Sequence, residues 1–264
     1  MVLESLIDPC SIKRHPMEAA IQGMVGAAVA IAICHFLGQG GLFLTFLITL
    51  AILPGIINML KDEEEREEDG HFWRYCYSGG FLHRHGALIL DYTFIIIGVA
   101  VTIASAFIVL PEETTSVLFS EQMSTISQIT GNATAQDVFS KIFLNNLGVM
   151  AICFAFSLFY SSGAIFLISW NASVLGVVVG QGAKALVGMQ SIPVVLLSYL
   201  PHGSFEFLGY ILAGIAGGIL SVAISRHTES REHFKFVFMD SLLLMALAVL
   251  MLWIGTVVEV AYIA

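Results

Sequence analysis

Seven apolar runs make up most of this chain, over residues 17–36, 42–60, 87–110, 144–168, 173–200, 203–224 and 237–262. About 20 apolar residues are what an α-helix needs to cross the hydrocarbon of a bilayer, where every backbone polar group must be satisfied within the segment. The runs therefore predict an all-α fold: a polytopic transmembrane helical bundle of about seven spans, forming a single integral membrane domain over 1–264. Composition agrees, since 57% of the 264 residues are hydrophobic and 12% charged, too few charges to coat a soluble globule of this size. The net charge of −9 is mostly local, because seven acids fall between Asp62 and Asp69. That run reads as a solvated tail on the second span. Four cysteines, Cys10, Cys34, Cys76 and Cys153, show no C-x-x-C spacing and are expected as free thiols, with Cys34 and Cys153 packed inside spans. The opening MVLESLIDPCSIKRHP is too polar and acidic for a cleaved leader, so the first span is expected to be retained.

Local signals subdivide the spans. Ala19, Gly23 and Ala27 form a small-residue stripe in the first span; Gly176 and Gly180, and then Gly214 and Gly218, do the same later. Such stripes let helices approach closely and are expected as packing faces, including faces for self-association. Pro54-Gly55 predicts a kink in the second span. The chain is expected to turn at Ser169-Trp170-Asn171, and the uneven run over 173–200, with Gly188 and Pro193, suggests a broken or re-entrant helix. Counting basic residues sets the orientation. With the N-terminus in the cytoplasm, Lys13, Arg14, Lys61, Arg66, Arg74, Arg84, Arg226, Arg231 and Lys235 lie inside, and only Lys141 and Lys184 lie elsewhere. This nine-to-two split predicts a multi-pass protein of the cell membrane with a cytoplasmic loop at 61–86, an external loop at 111–143 and an external C-terminus. It also places the glycosylation-like tripeptide Asn132-Ala133-Thr134 outside.

Polar side chains within hydrocarbon need partners or a role. Asn145 and Asn146 open the fourth span from outside, and His202 and Glu206 open the sixth; Glu259 and His35 lie near the external ends of their own spans. Asp91, Asn171 and Asp240 fall toward the cytoplasm. His202 and Glu206, four apart on a helix, share a face. The candidate site is thus an outer-leaflet pocket of His202, Glu206, Asn145, Asn146, Asn171 and Lys184, with Asn171 in another layer unless the fifth span is broken. A structural alternative pairs Glu206 with Lys184. Metal binding by His202, Glu206 and His35 is a third reading, although no H-E-x-x-H motif supports it. There is no Walker loop, dinucleotide fingerprint, Gly-x-Ser-x-Gly elbow or nucleic-acid patch.

The opening LESLIDPCSIKRHPMEAAIQG, the stretch IFLNNLGVM, the turn SWNASVLG and above all LPHGSFEFLG resemble the stage II sporulation protein M family, in an archaeal-type branch with an N-terminal Leu-Ile-x-Pro segment. The resemblance extends over nearly the whole chain. It implies a polytopic membrane protein whose motif residues are Asn145, Asn146, Asn171, Pro201, His202, Gly203 and Glu206. In spore formers the namesake resembles a membrane scaffold that works with peptidoglycan-cutting partners; most other members have no assigned activity. Ala172 stands where relatives tend to have glycine after the asparagine, which weakens the expectation of a tight left-handed turn there.

Three functions follow as expectations. The first is a non-enzymatic membrane scaffold or complex organiser, embedded in the lipid bilayer, associating with itself and with other membrane proteins, and needing no cofactor. The second is a channel or transporter for a small solute or ion, gated at Glu206. The third is a metal-dependent intramembrane hydrolase holding a divalent metal. Nucleic acid is not an expected partner.

Overall fold

The computed structural model describes residues 16–68, 81–131, 138–160, 162–186, 188–225 and 231–263, and among these there are helices and no strands. The helices are α1 (Pro16–Leu37), α2 (Leu42–Glu68), α3 (Phe81–Val109), α4 (Glu112–Leu118), α5 (Ser120–Gly131), α6 (Val138–Tyr160), α7 (Ala164–Ala185), α8 (Ile192–Ser225) and α9 (Arg231–Ile263). Six contain apolar stretches long enough to cross a membrane, and the apolar part of α2, Leu42–Asn58, is shorter. At 1.5 Å per residue that part still covers about 25 Å. Chain direction alternates from one apolar helix to the next. Gln22 on α1 packs over Gly55 on α2 while Gly26 packs over Ile52, so these two run antiparallel. Gly209 meets Leu252, and Gly255 meets Phe205, which makes α8 and α9 antiparallel as well.

Glycines set the closest approaches. A methyl group on Gly98 of α3 would meet the carbonyl of Ala20, and one on Gly23 of α1 would meet that of Ile95, so each helix seats a glycine on the other's backbone. Gly176 and Gly180 of α7 lie in the same way along α3, against Ala100, Ile103, Ala104 and Phe107. Gly214 of α8 abuts Ala164, and Gly217 abuts Phe154 of α6. These contacts leave no room for a side chain. Gly23, Gly176, Gly180 and Gly214, singled out as parts of stripes, thus face helices of their own chain. The remaining core is aliphatic, with Leu44, Ile48, Ile103, Ile165, Ile211, Leu244 and Leu252 fully buried. Cys34 and Cys153 are free and buried in it.

Several sequence expectations need correction. The turn before α7 lies at Ser162-Gly163, so Ser169-Trp170-Asn171 sits inside a continuous helix. The discontinuity expected within 173–200 is a boundary between two helices: α7 ends at Ala185, Gly188 adopts φ +82°, and a short 3-10 turn, Gly188–Ser191, leads into α8. Helix α8 then continues through Pro201, where the sequence suggested a new span. Proline need not stop a helix whose lost hydrogen bond is made good by its surroundings. Asp91, expected near a hydrated surface, is buried and partnered. The segment expected as a polar external loop carries α4 and α5, and Leu118 and Phe119 at their junction are fully buried, with Phe119 against the Phe107 ring. The acidic run continues α2 as helix to Glu68. The opening segment, Cys10, Cys76 and Asn132-Ala133-Thr134 lie outside the described residues.

Candidate functional site

The polar residues gather where α6, α8 and α9 meet. Asn146, buried on the inner face of α6, donates from Nδ2 to Glu206 Oε1 of α8 at 2.5 Å. Its Oδ1 accepts from the Tyr210 hydroxyl at 3.0 Å and from Asn145 Nδ2 at 3.3 Å. One amide therefore uses both ends, and its partners on α8 are a turn apart on one face. From α9, Glu259 comes within hydrogen-bonding reach of the Glu206 carboxyl. A hydrogen bond between two carboxyl groups uses one proton. This meeting depends on Gly255, whose missing side chain lets α9 lie against Phe205, Glu206 and the His202 carbonyl.

His202 sits one turn from Glu206 on α8. Its ring is edge-on to Tyr199 at 5.8 Å, and its Nδ1 is buried without a hydrogen-bond partner among the described residues. Asn145 is exposed on α6. Asn171 lies on α7 between Ile168, which borders Gly214, and Gly182, which borders Val195, and so stands across from the Glu206 region of α8. Its amide nonetheless donates back to Leu167 O at 2.8 Å, within its own helix. Lys184 does not pair with Glu206. It is exposed at the end of α7, with Nζ 5.8 Å from the centre of the Phe107 ring, a cation–π contact with α3.

His35 is exposed in the last turn of α1, and no three His, Cys, Asp or Glu side chains group as metal ligands among the described residues. The His202, Glu206 and His35 triad is therefore not assembled. Sequence reading also missed Tyr210 as a site residue and left Glu259 outside the pocket. The four-residue spacing His202, Glu206, Tyr210 was a usable signal for the first; nothing local to α9 marks the second. Chemically the cluster offers carboxyl oxygens, an amide and a phenol, with no cation among them. It is suited to holding helices together, to holding a proton, or to receiving a positively charged group.

A second polar cluster joins α2, α5 and α7. Gln122 Nε2 donates to Ser173 Oγ at 3.1 Å, and Glu121 Oε2 accepts from the Leu42 N–H at 3.3 Å at the start of α2. Helix α5 is thereby tied to the bundle. A small apolar cavity, lined by Ile52, Tyr92, Ile95, Ile165, Ser169 and Ala172 among others, lies between α2, α3 and α7.

No curated protein and no solved structure matches the chain. The model of one family, described as stage II sporulation protein M, matches residues 87–263, which takes in most of α3 and all of α4 to α9 and leaves α1 and α2 outside. With its buried apolar helices and this match over well more than half its length, the chain is an integral membrane protein that belongs to the stage II sporulation protein M family.

Proposed function

We propose that the protein is a non-enzymatic organiser of the cell membrane, oriented with its N-terminus in the cytoplasm, whose working part is the polar clamp of Asn146, Glu206, Tyr210 and Glu259 in the outer leaflet. The observation that carries this reading is the bonding of Asn146 to both Glu206 and Tyr210. The polar groups of the clamp are turned toward one another across three helices. The glycine contacts of α1, α3 and α7 support the same view, because helices seated on each other's backbone make a stiff platform. Partners, whether other membrane proteins or copies of the chain itself, would meet it on its lipid-facing sides.

Native gel electrophoresis of gently solubilised membranes tests this. Wild-type protein is expected in an assembly larger than the single chain, and Glu206→Gln, which alters the clamp, is expected to change that assembly while the protein stays folded. A wild type that migrates alone, or an assembly indifferent to the substitution, refutes the proposal.

A second reading, transport of a cation or proton, is favoured by one observation: two carboxyl groups, Glu206 and Glu259, meet from different helices, one turn along α8 from His202, whose Nδ1 has no partner among the described residues. Intramembrane carboxyls of this kind commonly mark ion or proton paths. Proteoliposomes loaded with a pH-sensitive dye decide it. Proton or sodium flux that Glu206→Gln abolishes favours transport over the organiser reading, and wild-type liposomes as tight as empty ones remove transport.

A further inference from the structure

Gln122 is fully buried on α5, although Glu121 before it and Ser124 after it are exposed. Its Nε2 donates to Ser173 Oγ at 3.1 Å and approaches Gly41 O at 3.4 Å. Neither neighbour has a hydrogen to give in return. Ser173 commits its hydroxyl hydrogen to Trp170 O at 2.7 Å, and Gly41 offers a carbonyl. The amide therefore cannot be turned end for end, and Oε1 is fixed on the other side. There it is buried with no partner among the described residues.

The first turn of α2, whose Gly41 carbonyl the amide touches, carries a second such atom. The Thr45 N–H shares the Gly41 carbonyl, at 3.4 Å, with Gln122 Nε2. Thr45 is itself fully buried, and its hydroxyl is likewise unpartnered among the described residues. Buried polar atoms are nearly always hydrogen-bonded, to protein or to ordered water. We infer that one ordered water molecule binds between α2 and α5, donating to Gln122 Oε1 and bonding the Thr45 hydroxyl. The ligand is water and not a metal cation because of the donor set. A hard cation such as Ca²⁺ takes about six or more oxygens. Among the described residues two side-chain oxygens here are unpartnered, neither is a carboxylate, and Gly41 O already receives two N–H groups. The water completes the fastening of the α4–α5 segment to the bundle, next to the Glu121 cap on Leu42.

An experimental structure of the full chain in lipid, at a resolution that shows ordered water, tests the inference. Density about 2.7–3.0 Å from both Gln122 Oε1 and Thr45 Oγ1 is expected. Five or more oxygens around that density at about 2.4 Å would identify a cation and overturn the assignment, as would a direct Thr45–Gln122 hydrogen bond with no density between them. Because Gln122→Leu risks misfolding, the companion variant is Thr45→Val, which keeps the shape and removes the hydroxyl. Amide exchange over 41–45 is expected to quicken by about tenfold in that variant. Unchanged exchange also overturns the inference.

Discussion

Replacing Asn146 with alanine removes two interhelical hydrogen bonds in one step. The Tyr210 hydroxyl loses its acceptor, and Glu206 loses a donor held at 2.5 Å. A buried group stripped of its partner costs about 1–3 kcal/mol, whereas interhelical hydrogen bonds measured within a bilayer average about 0.6 kcal/mol and reach about 1.7 kcal/mol. Tyr210 is buried and belongs at the upper end of that scale; Glu206 is half-buried and keeps Glu259, which places it lower. Together they give a loss of about 2 kcal/mol, roughly a 30-fold change in the unfolding equilibrium. Tyr210→Phe alone should cost less, about 1 kcal/mol, because Asn146 Oδ1 keeps its bond from Asn145. Reversible unfolding in mixed micelles, run as a double-mutant cycle, reads both losses and their coupling. If Asn146→Ala falls within about 0.5 kcal/mol of wild type, or the two changes simply add, then the hydrogen bonds described here do not hold these helices together.

Gly98→Ala places a methyl carbon 2.1 Å from the Ala20 carbonyl oxygen, so α1 must retreat by about 1 Å; overpacking of this kind costs about 1–3 kcal/mol, to be read as a lower melting temperature. Gly203→Ala meets nothing within 4 Å and lies inside α8, so the variant should be as stable as wild type or up to about 1 kcal/mol more so; a marked loss of stability would show that the site packs differently. Lys184→Gln should shift stability by less than about 1 kcal/mol, the range for an exposed cation–π contact. A larger effect that disappears in a Glu206→Gln background would restore the ion pair that the structure rejects.

Hydrophobic run length announced the helices, because a bilayer leaves the backbone no other way to satisfy itself. Their ends were harder to read. Ser169-Trp170-Asn171 looks like a turn by residue type, yet Asn171 satisfies its amide on Leu167 O and stays helical, while the real breaks fall at Gly163 and Gly188. Proline misled in the opposite direction at Pro201. For the site, spacing along one helix was informative, so His202 and Glu206 could be placed on one face and Asn146 proposed as a neighbour. Glu259 could not be assigned to them, because its approach depends on Gly255 and on how two helices cross, and neither is a periodic property of the sequence. Lys184 was matched to Glu206 on charge alone. The packing of α7 carries it away toward Phe107.

The 34 residues of α8 measure about 51 Å end to end, whereas a typical hydrocarbon slab is about 30 Å thick. Even leaning at about 40°, near the limit for transmembrane helices, the rod fits only some 26 residues into the slab, which leaves roughly eight outside. If the Ser225 end lies at one edge of the slab, the surplus falls at the other, where Val194 and Leu197 are exposed and no charge precedes Glu206 within the helix. Those first turns would then stand as a greasy post among the lipid headgroups. A thicker membrane would swallow the post and a thinner one would wet it, so the depth of water above His202 is set as much by the local lipid as by the protein.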